Sequence, residues 1–427
     1  MKRIASHSWM IRIALAFLLT LLGGGTAAAQ GGPPPVIQGP MVKIVTAPPS
    51  PHPSYFPRPP RNESTTAATI TVTYKVGNIG GCPTSVDSWD DIPPGDTRTL
   101  REAFEAAVST WEAQLTSPVE IRVEATLENI GGSTLGYMGP SGTANWSTAP
   151  VNNVWFPAAI ADKFNGADLM PGSFDISGKM TCRDDWNTDD ASTDGDGYNG
   201  EYDFESVAVH ELGHGLGFTG GASYNAATGQ GGVRDDTYNY PWVYTCFTGS
   251  KNPGGRYLLN QNEFPEDSVK MGDVLTNKGG ASNNGAAGVF FYGDQAVNAY
   301  HGPVPLYIPN TWQDGSSYSH LDSNTFNGTA EDLMTPSIGP ADITRSVGPV
   351  TNAMFGDFGW SGNFKSEGCA SPTPSAATVT DMQVTYTYAL QNLSSARLKA
   401  FFSSTIAVLL MGMAVGGFFF YRIRRGG

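Results

Sequence analysis

The chain is expected to fold as an α+β domain of roughly 300 residues flanked by non-globular ends, and three observations predict it. Strand, helix and strand patterns follow one another between residues 70 and 127. A glycine-studded helical stretch over residues 204–217 carries His210, Glu211 and His214 in an HExxH arrangement. The 427 residues include 52 glycines and 30 prolines with only 15% charged residues, which points to a loop-rich extracellular protein rather than a helical bundle. A net charge of −14 with no basic stripe argues against nucleic acid as a partner, because phosphates demand a basic face.

Residues 1–29 read as a secretory signal. Lys2, Arg3 and Arg12 give a positive start, residues 11–22 an apolar stretch, and Ala27, Ala28 and Ala29 a small-residue cleavage site. That apolar run is short for a bilayer span of about 20 residues, so cleavage is expected rather than anchoring. Over residues 30–61 prolines crowd together, Pro33 to Pro35, Pro48, Pro49, Pro59 and Pro60 among them. The expectation there is a disordered, polyproline-like arm that serves as a spacer. A removable segment covering the site is the alternative, although no cysteine lies there to act as a blocking ligand.

The globular part, residues 62–370, opens with Ile70, Val72, Tyr74 and Val76 alternating with polar residues, the pattern of a half-buried strand. Leu100, Phe104, Val108, Trp111 and Leu115 then share one helical face, and Val119, Ile121, Val123 and Ala125 alternate again as a strand. In residues 190–201, Asp190, Ser192, Asp194, Gly195 and Glu201 match positions 1, 3, 5, 6 and 12 of a calcium loop. No clear helix precedes them, so a solvated acidic turn is expected, with a Ca²⁺ site outside the EF-hand class as the alternative.

In the HExxH helix, Asp203 and Ser206 offer N-cap oxygens, Phe204, Val207, Val209 and Leu212 supply apolar positions, and Gly217 ends the helix. Residues four apart share a helical face, so His210 and His214 can both aim at one metal ion. Glu211 is turned away from ligation yet stays close enough to handle the proton of a metal-activated water. A short motif also arises by chance, as two unrelated histidines on a solvated helix, but capping, apolar spacing and glycine density favour a zinc site here.

Catalytic zinc takes a third protein ligand and keeps one position open. Of six histidines, His7 lies in the signal and His52 among the prolines, which leaves His301 and His320; Asp322 and Glu331 are carboxylate alternatives. The motifs beyond the helix narrow the choice. His210 to Phe218 reads HExxHxxGF, Ser319 and His320 follow far downstream, then Asp332, Leu333 and Met334, then a terminal Phe355 to Trp360 segment. In this order they resemble the leishmanolysin-like metzincin zinc peptidases. The contiguous metzincin motif would place its third histidine where this chain has Gly220.

The resemblance implies a metzincin-like peptidase domain with a mixed sheet and an active-site helix. It implies Zn²⁺ held by His210, His214 and His320, Glu211 as general base, and Met334 in a methionine turn beneath the histidines. It also implies a peptide or protein substrate laid along an edge strand, for which residues 174–180 are the expected location. The long loop-rich insertion, residues 220–318, would bring His320 back to the helix, and residues 350–358 after Pro349 would form a closing helix.

Cys82, Cys182, Cys246 and Cys369 are an even set in an exported chain and read as two disulfides with three possible connectivities. Residues 371–399, rich in Ser, Thr and Ala, read as a stalk. Residues 400–421 are apolar throughout and precede Arg422, Arg424 and Arg425 in a basic tail, residues 422–427. The expectation is a C-terminal transmembrane helix holding the domain at the cell surface, or a sorting tail cut after export. Oligomeric state is not legible in these patterns.

Overall fold

The computed structural model describes residues 35–50, 53–58, 67–190, 200–250, 257–276, 288–361 and 364–369, all within one compact unit, Met1–Ala370. The expected signal peptide, stalk, transmembrane segment and basic tail lie outside the described residues. The α+β class holds, with one correction. Among the described residues no helix is long and apolar enough to cross a membrane. The longest, Leu100–Gln114, has 15 residues. Such a helix is about 22 Å long, against a hydrocarbon core of about 30 Å.

The described residues open with three short strands, β1 (Val36–Ile37), β2 (Val42–Thr46) and β3 (Tyr55–Phe56). Where it is described, the proline-rich stretch is therefore built into the domain rather than hanging from it. Next come β4 (Ile70–Val76), α1 (Leu100–Gln114), β5 (Ile121–Glu128) and β6 (Thr134–Pro140). Thr99 and Glu102 form a reciprocal capping box that starts α1 at the expected place. Along β5, Ile121, Val123, Ala125 and Leu127 are buried while the residues between them are half-buried, which is the period of two that marked it as a strand.

Beyond β6 lie β7 (Thr143–Ala144), α2 (Ala158–Asn165), β8 (Ile176–Thr181) and the motif helix α3 (Phe204–Gly215). After the insertion, which contains α4 (Asp294–Tyr300), the chain returns through β9 (Ser337–Ile338), β10 (Ile343–Thr344) and α5 (Pro349–Phe358). The central sheet is mixed and six-stranded, in the order β9-β2-β6-β8-β5-β4. β4, β5 and β8 run parallel to one another; β6 is antiparallel to both β8 and β2, and β2 is parallel to β9. The edge strand expected at residues 174–180 is thus corrected: β8 is interior, paired on one side with β5 and on the other with β6. Its alternation fits either place, since edge and interior strands differ in their distant partners.

Helix α3 is buried along its whole length. The Trp111 indole of α1 donates to the Val209 carbonyl at 2.8 Å, and the Trp360 indole donates to Leu216 O at 2.9 Å where the helix ends. Gly217, at φ 125°, reverses the chain in a conformation that a side chain would resist. Gly215 packs against β8 so closely that a Cβ there would lie 2.3 Å from Cγ2 of Ile176. Gly215→Ala should therefore lower stability by about 1–3 kcal/mol through overpacking. In chemical denaturation Gly215→Ala with Ile176→Ala is expected to cost less than the two single changes summed, because the smaller residue removes the clash.

Two disulfides, Cys82–Cys182 and Cys246–Cys369, resolve the connectivity. One joins the loop after β4 to the end of β8, and the other joins the insertion to the segment that follows α5. Each closes a loop of about 100 residues or more, a constraint worth about 2–5 kcal/mol.

Candidate metal centre

Helix α3 presents His210 and His214 on one face, as their spacing requires. Asp203 caps its start by accepting from Ser206 N at 2.7 Å. His320 reaches the same point from 106 residues beyond His214. The three Nε2 atoms form a triangle with sides of 2.9 Å (His210 to His214), 3.2 Å (His214 to His320) and 3.2 Å (His210 to His320).

Each ring is oriented by a backbone carbonyl on its other nitrogen. Nδ1 of His210 donates to Leu333 O at 2.6 Å, that of His214 to Phe218 O at 2.7 Å, and that of His320 to Ser316 O at 2.7 Å. With the proton on Nδ1 in all three, three Nε2 lone pairs face one another across about one van der Waals contact. Burial holds the His210 imidazole down to about 4, and burial with the neighbouring imidazoles holds His214 and His320 well below the usual histidine range. Three neutral rings with converging lone pairs can hold one cation. Among the described residues no other group of three or more His, Cys, Asp or Glu side chains converges in this way.

Gly220 shows how His320 is brought to this point from so far along the chain. Ser319 Oγ accepts from Gly220 N at 3.1 Å and donates to Gly220 O at 3.2 Å. A Cβ at Gly220 would lie 2.2 Å from the Tyr318 ring. The backbone at the position that would carry a contiguous third histidine is the dock on which Ser319, and so His320, is seated.

Met334 is fully buried, and its sulfur lies 3.1 Å from where a Cβ of Gly213 would be, beneath α3. The same turn supplies the Leu333 carbonyl that orients His210, a role invisible in a motif read by side chains. The other ligand candidates are engaged elsewhere. His301 ends α4 at φ 62° and is exposed. Asp322 caps the short helix Ser323–Phe326, and Glu331 accepts from Val350 N at 2.9 Å and Thr351 N at 3.0 Å at the start of α5.

Glu211 is fully buried beside the histidines. Its Oε1 accepts from Ile44 N of β2 at 3.0 Å and its Oε2 from Met138 N of β6 at 2.8 Å. Burial holds its carboxyl well above the usual range, and the two N–H donors offset only part of that rise. Neither donor had a signal in the sequence, since both are backbone groups of strands remote from the helix.

For the calcium alternative, Ser192, Asp194 and Gly195 lie outside the described residues. Asp190 Oδ1 instead accepts from Arg58 at 2.9 Å and Arg98 at 3.1 Å. These arginines and Arg345 also surround Asp203 and Glu205 at the start of α3. Glu201 is half-buried, and its carbonyl accepts from Ala341 N at 2.9 Å.

No protein-family model, curated protein or solved structure matches the chain. The resemblance to leishmanolysin-like metzincins therefore stands on the motifs themselves.

Proposed function

We propose that the chain is an exported zinc endopeptidase of leishmanolysin-like metzincin type, acting on peptide or protein substrates. The observation that carries the reading is the triangle of three Nε2 atoms whose Nδ1 protons are all committed to carbonyls. For a tetrahedral ion at about 2.0–2.1 Å from each nitrogen, the ligand nitrogens lie roughly 3.3–3.4 Å apart. The sides of 2.9–3.2 Å come within a few tenths of an ångström of that spacing. An all-imidazole donor set with no thiolate and no carboxylate suits zinc over calcium or magnesium. The two disulfides favour an oxidising compartment, in keeping with export.

His210, His214 and His320 would hold the ion. Zinc bound there would supply a Lewis acid and acidify water toward neutrality. Glu211, one residue along the helix from His210, takes a proton from the attacking water. As the carbonyl carbon gains oxygen and the C–N bond breaks, the same carboxyl delivers that proton to the departing amine. The carbonyls of Leu333, Phe218 and Ser316 keep the three rings aimed throughout.

A second reading, a surface binding protein that keeps the ion without turnover, is favoured by one observation: both oxygens of Glu211 are already engaged and all four side chains are fully buried. Hydrolysis of an unfolded protein such as casein, with zinc and then with excess chelator, separates the two. The peptidase reading requires hydrolysis that the chelator stops and added zinc restores. Zinc retained at one per chain with no hydrolysis under any activating treatment would favour the binding protein.

A further inference from the structure

The element that seals the site is β2. It lies between β6 and β9, antiparallel to the first and parallel to the second, and is held on both sides by main-chain hydrogen bonds. Lys43 N donates to Gly315 O at 2.9 Å, Val45 N to Pro336 O at 3.2 Å, Thr46 N to Ser133 O at 2.9 Å and Ala47 N to Ile338 O at 2.7 Å. Such a ladder accepts any extended chain that supplies N–H and C=O groups at strand spacing.

Selection falls to the side chains. Val42 pairs with Met138 and Ile44 with Gly136, and a Cβ on Gly136 would point at Glu211 Cγ, 3.1 Å away. Val42 and Ile44 therefore project toward α3. Each is only 2% exposed.

At Ile44 and Val45 the register of the ladder shifts. There the Ile44 amide donates to Glu211 instead of to a strand carbonyl. The strand thus occupies the seam between β6 and β9 and makes one of the two backbone contacts of the Glu211 carboxylate. Its continuation is fastened by the pairing of β3 with β10 and by Arg58 on Glu205 at 2.9 Å, and the chain then runs on to β4.

We propose that β2 holds the place of a substrate: an extended peptide with aliphatic side chains at two alternate positions, like Val42 and Ile44, takes the seam between β6 and β9 once the segment ending at Arg58 is displaced. What then happens to the peptide rests on the peptidase reading; its binding does not. While attached, the strand competes at an effective concentration on the order of millimolar, so micromolar ligands do not enter. Cutting the chain after Arg58 turns that competition into a bimolecular one.

The test uses the full chain with a recognition sequence for a site-specific protease placed within residues 60–66. Two labelled heptapeptides serve as probes: one has the sequence of residues 41–47, and the other has aspartate in both aliphatic positions. Cutting, followed by high dilution, should raise the apparent affinity for the aliphatic peptide at least about 100-fold and leave the aspartate peptide unbound.

Ile44→Pro in the uncut chain removes the amide that reaches Glu211 and so loosens β2 on α3; it should speed amide exchange in β6 and admit the same peptide. Equal binding by cut and uncut chains, or no binding by either opened form, overturns the proposal and makes β2 a permanent strand. Peptide bound by the opened chain but left uncleaved upholds this inference and removes the peptidase reading. Peptide hydrolysed by the uncut wild-type chain does the reverse.

Discussion

His320→Ala is expected to weaken zinc binding by the chain. Structural zinc sites of four ligands bind with apparent energies of about 10–16 kcal/mol, or roughly 2.5–4 kcal/mol per ligand, so losing one imidazole should weaken binding on the order of 10²–10³-fold. The change also removes the ring whose Nδ1 donates to Ser316 O, which loosens the 316–320 turn seated on Gly220. Titration with a competing zinc indicator would measure the loss. His301→Ala is the control: that residue is exposed at the end of α4 and should leave affinity unchanged. Equal losses from the two changes, or none from His320→Ala, would remove His320 from the site.

Glu211→Gln separates metal binding from turnover. General acid–base groups contribute about 10²–10⁴-fold, so hydrolysis by the opened chain should fall by that factor while zinc stays bound. A second effect belongs to this molecule alone. Both carboxylate oxygens accept backbone N–H groups, from Ile44 and from Met138, whereas an amide offers one oxygen and an NH₂ that faces a donor. One of the two backbone donors loses its acceptor, at a cost of about 1–3 kcal/mol. The uncut variant should therefore melt at lower temperature than wild type and exchange the Ile44 or Met138 amide faster. Full hydrolytic activity in the variant would rule out Glu211 as the base.

Much of the centre could be read from the sequence because it is local. The spacing of His210 and His214, the cap at Asp203 and the reversal at Gly217 all act within a few residues, and helical geometry converts them into a site. The alternation of β4 and β5 is legible for the same reason: one face of each is more deeply buried than the other. His320 and Met334 were legible only through the order of several motifs, since nothing near His320 itself distinguishes it from His301.

What stayed hidden is non-local. Val42 to Thr46 carries a short strand pattern, but the prolines around it suggested an arm, and its partners lie about 90 residues away in β6 and about 290 in β9. β6 contains Gly136, Gly139 and Pro140, which suppress a strand pattern, yet Gly136 leaves room that Glu211 fills and Gly139 leaves room for Pro40 and Met41 just ahead of β2. The carbonyls of Leu333, Phe218 and Ser316 carry no side-chain signature at all. The placement of residues 174–180 at a sheet edge failed because that distinction depends on β6 arriving on the other side.

The central claim is that one zinc ion is shared by three imidazoles from two distant parts of the chain. X-ray absorption at the zinc edge on the purified full chain addresses it directly. One zinc per chain with three nitrogen scatterers and one oxygen at about 2.0–2.1 Å, becoming two nitrogens in His320→Ala, is the predicted result. A chain that binds no zinc, or a wild-type first shell with fewer than three imidazoles or with any sulfur, would contradict it.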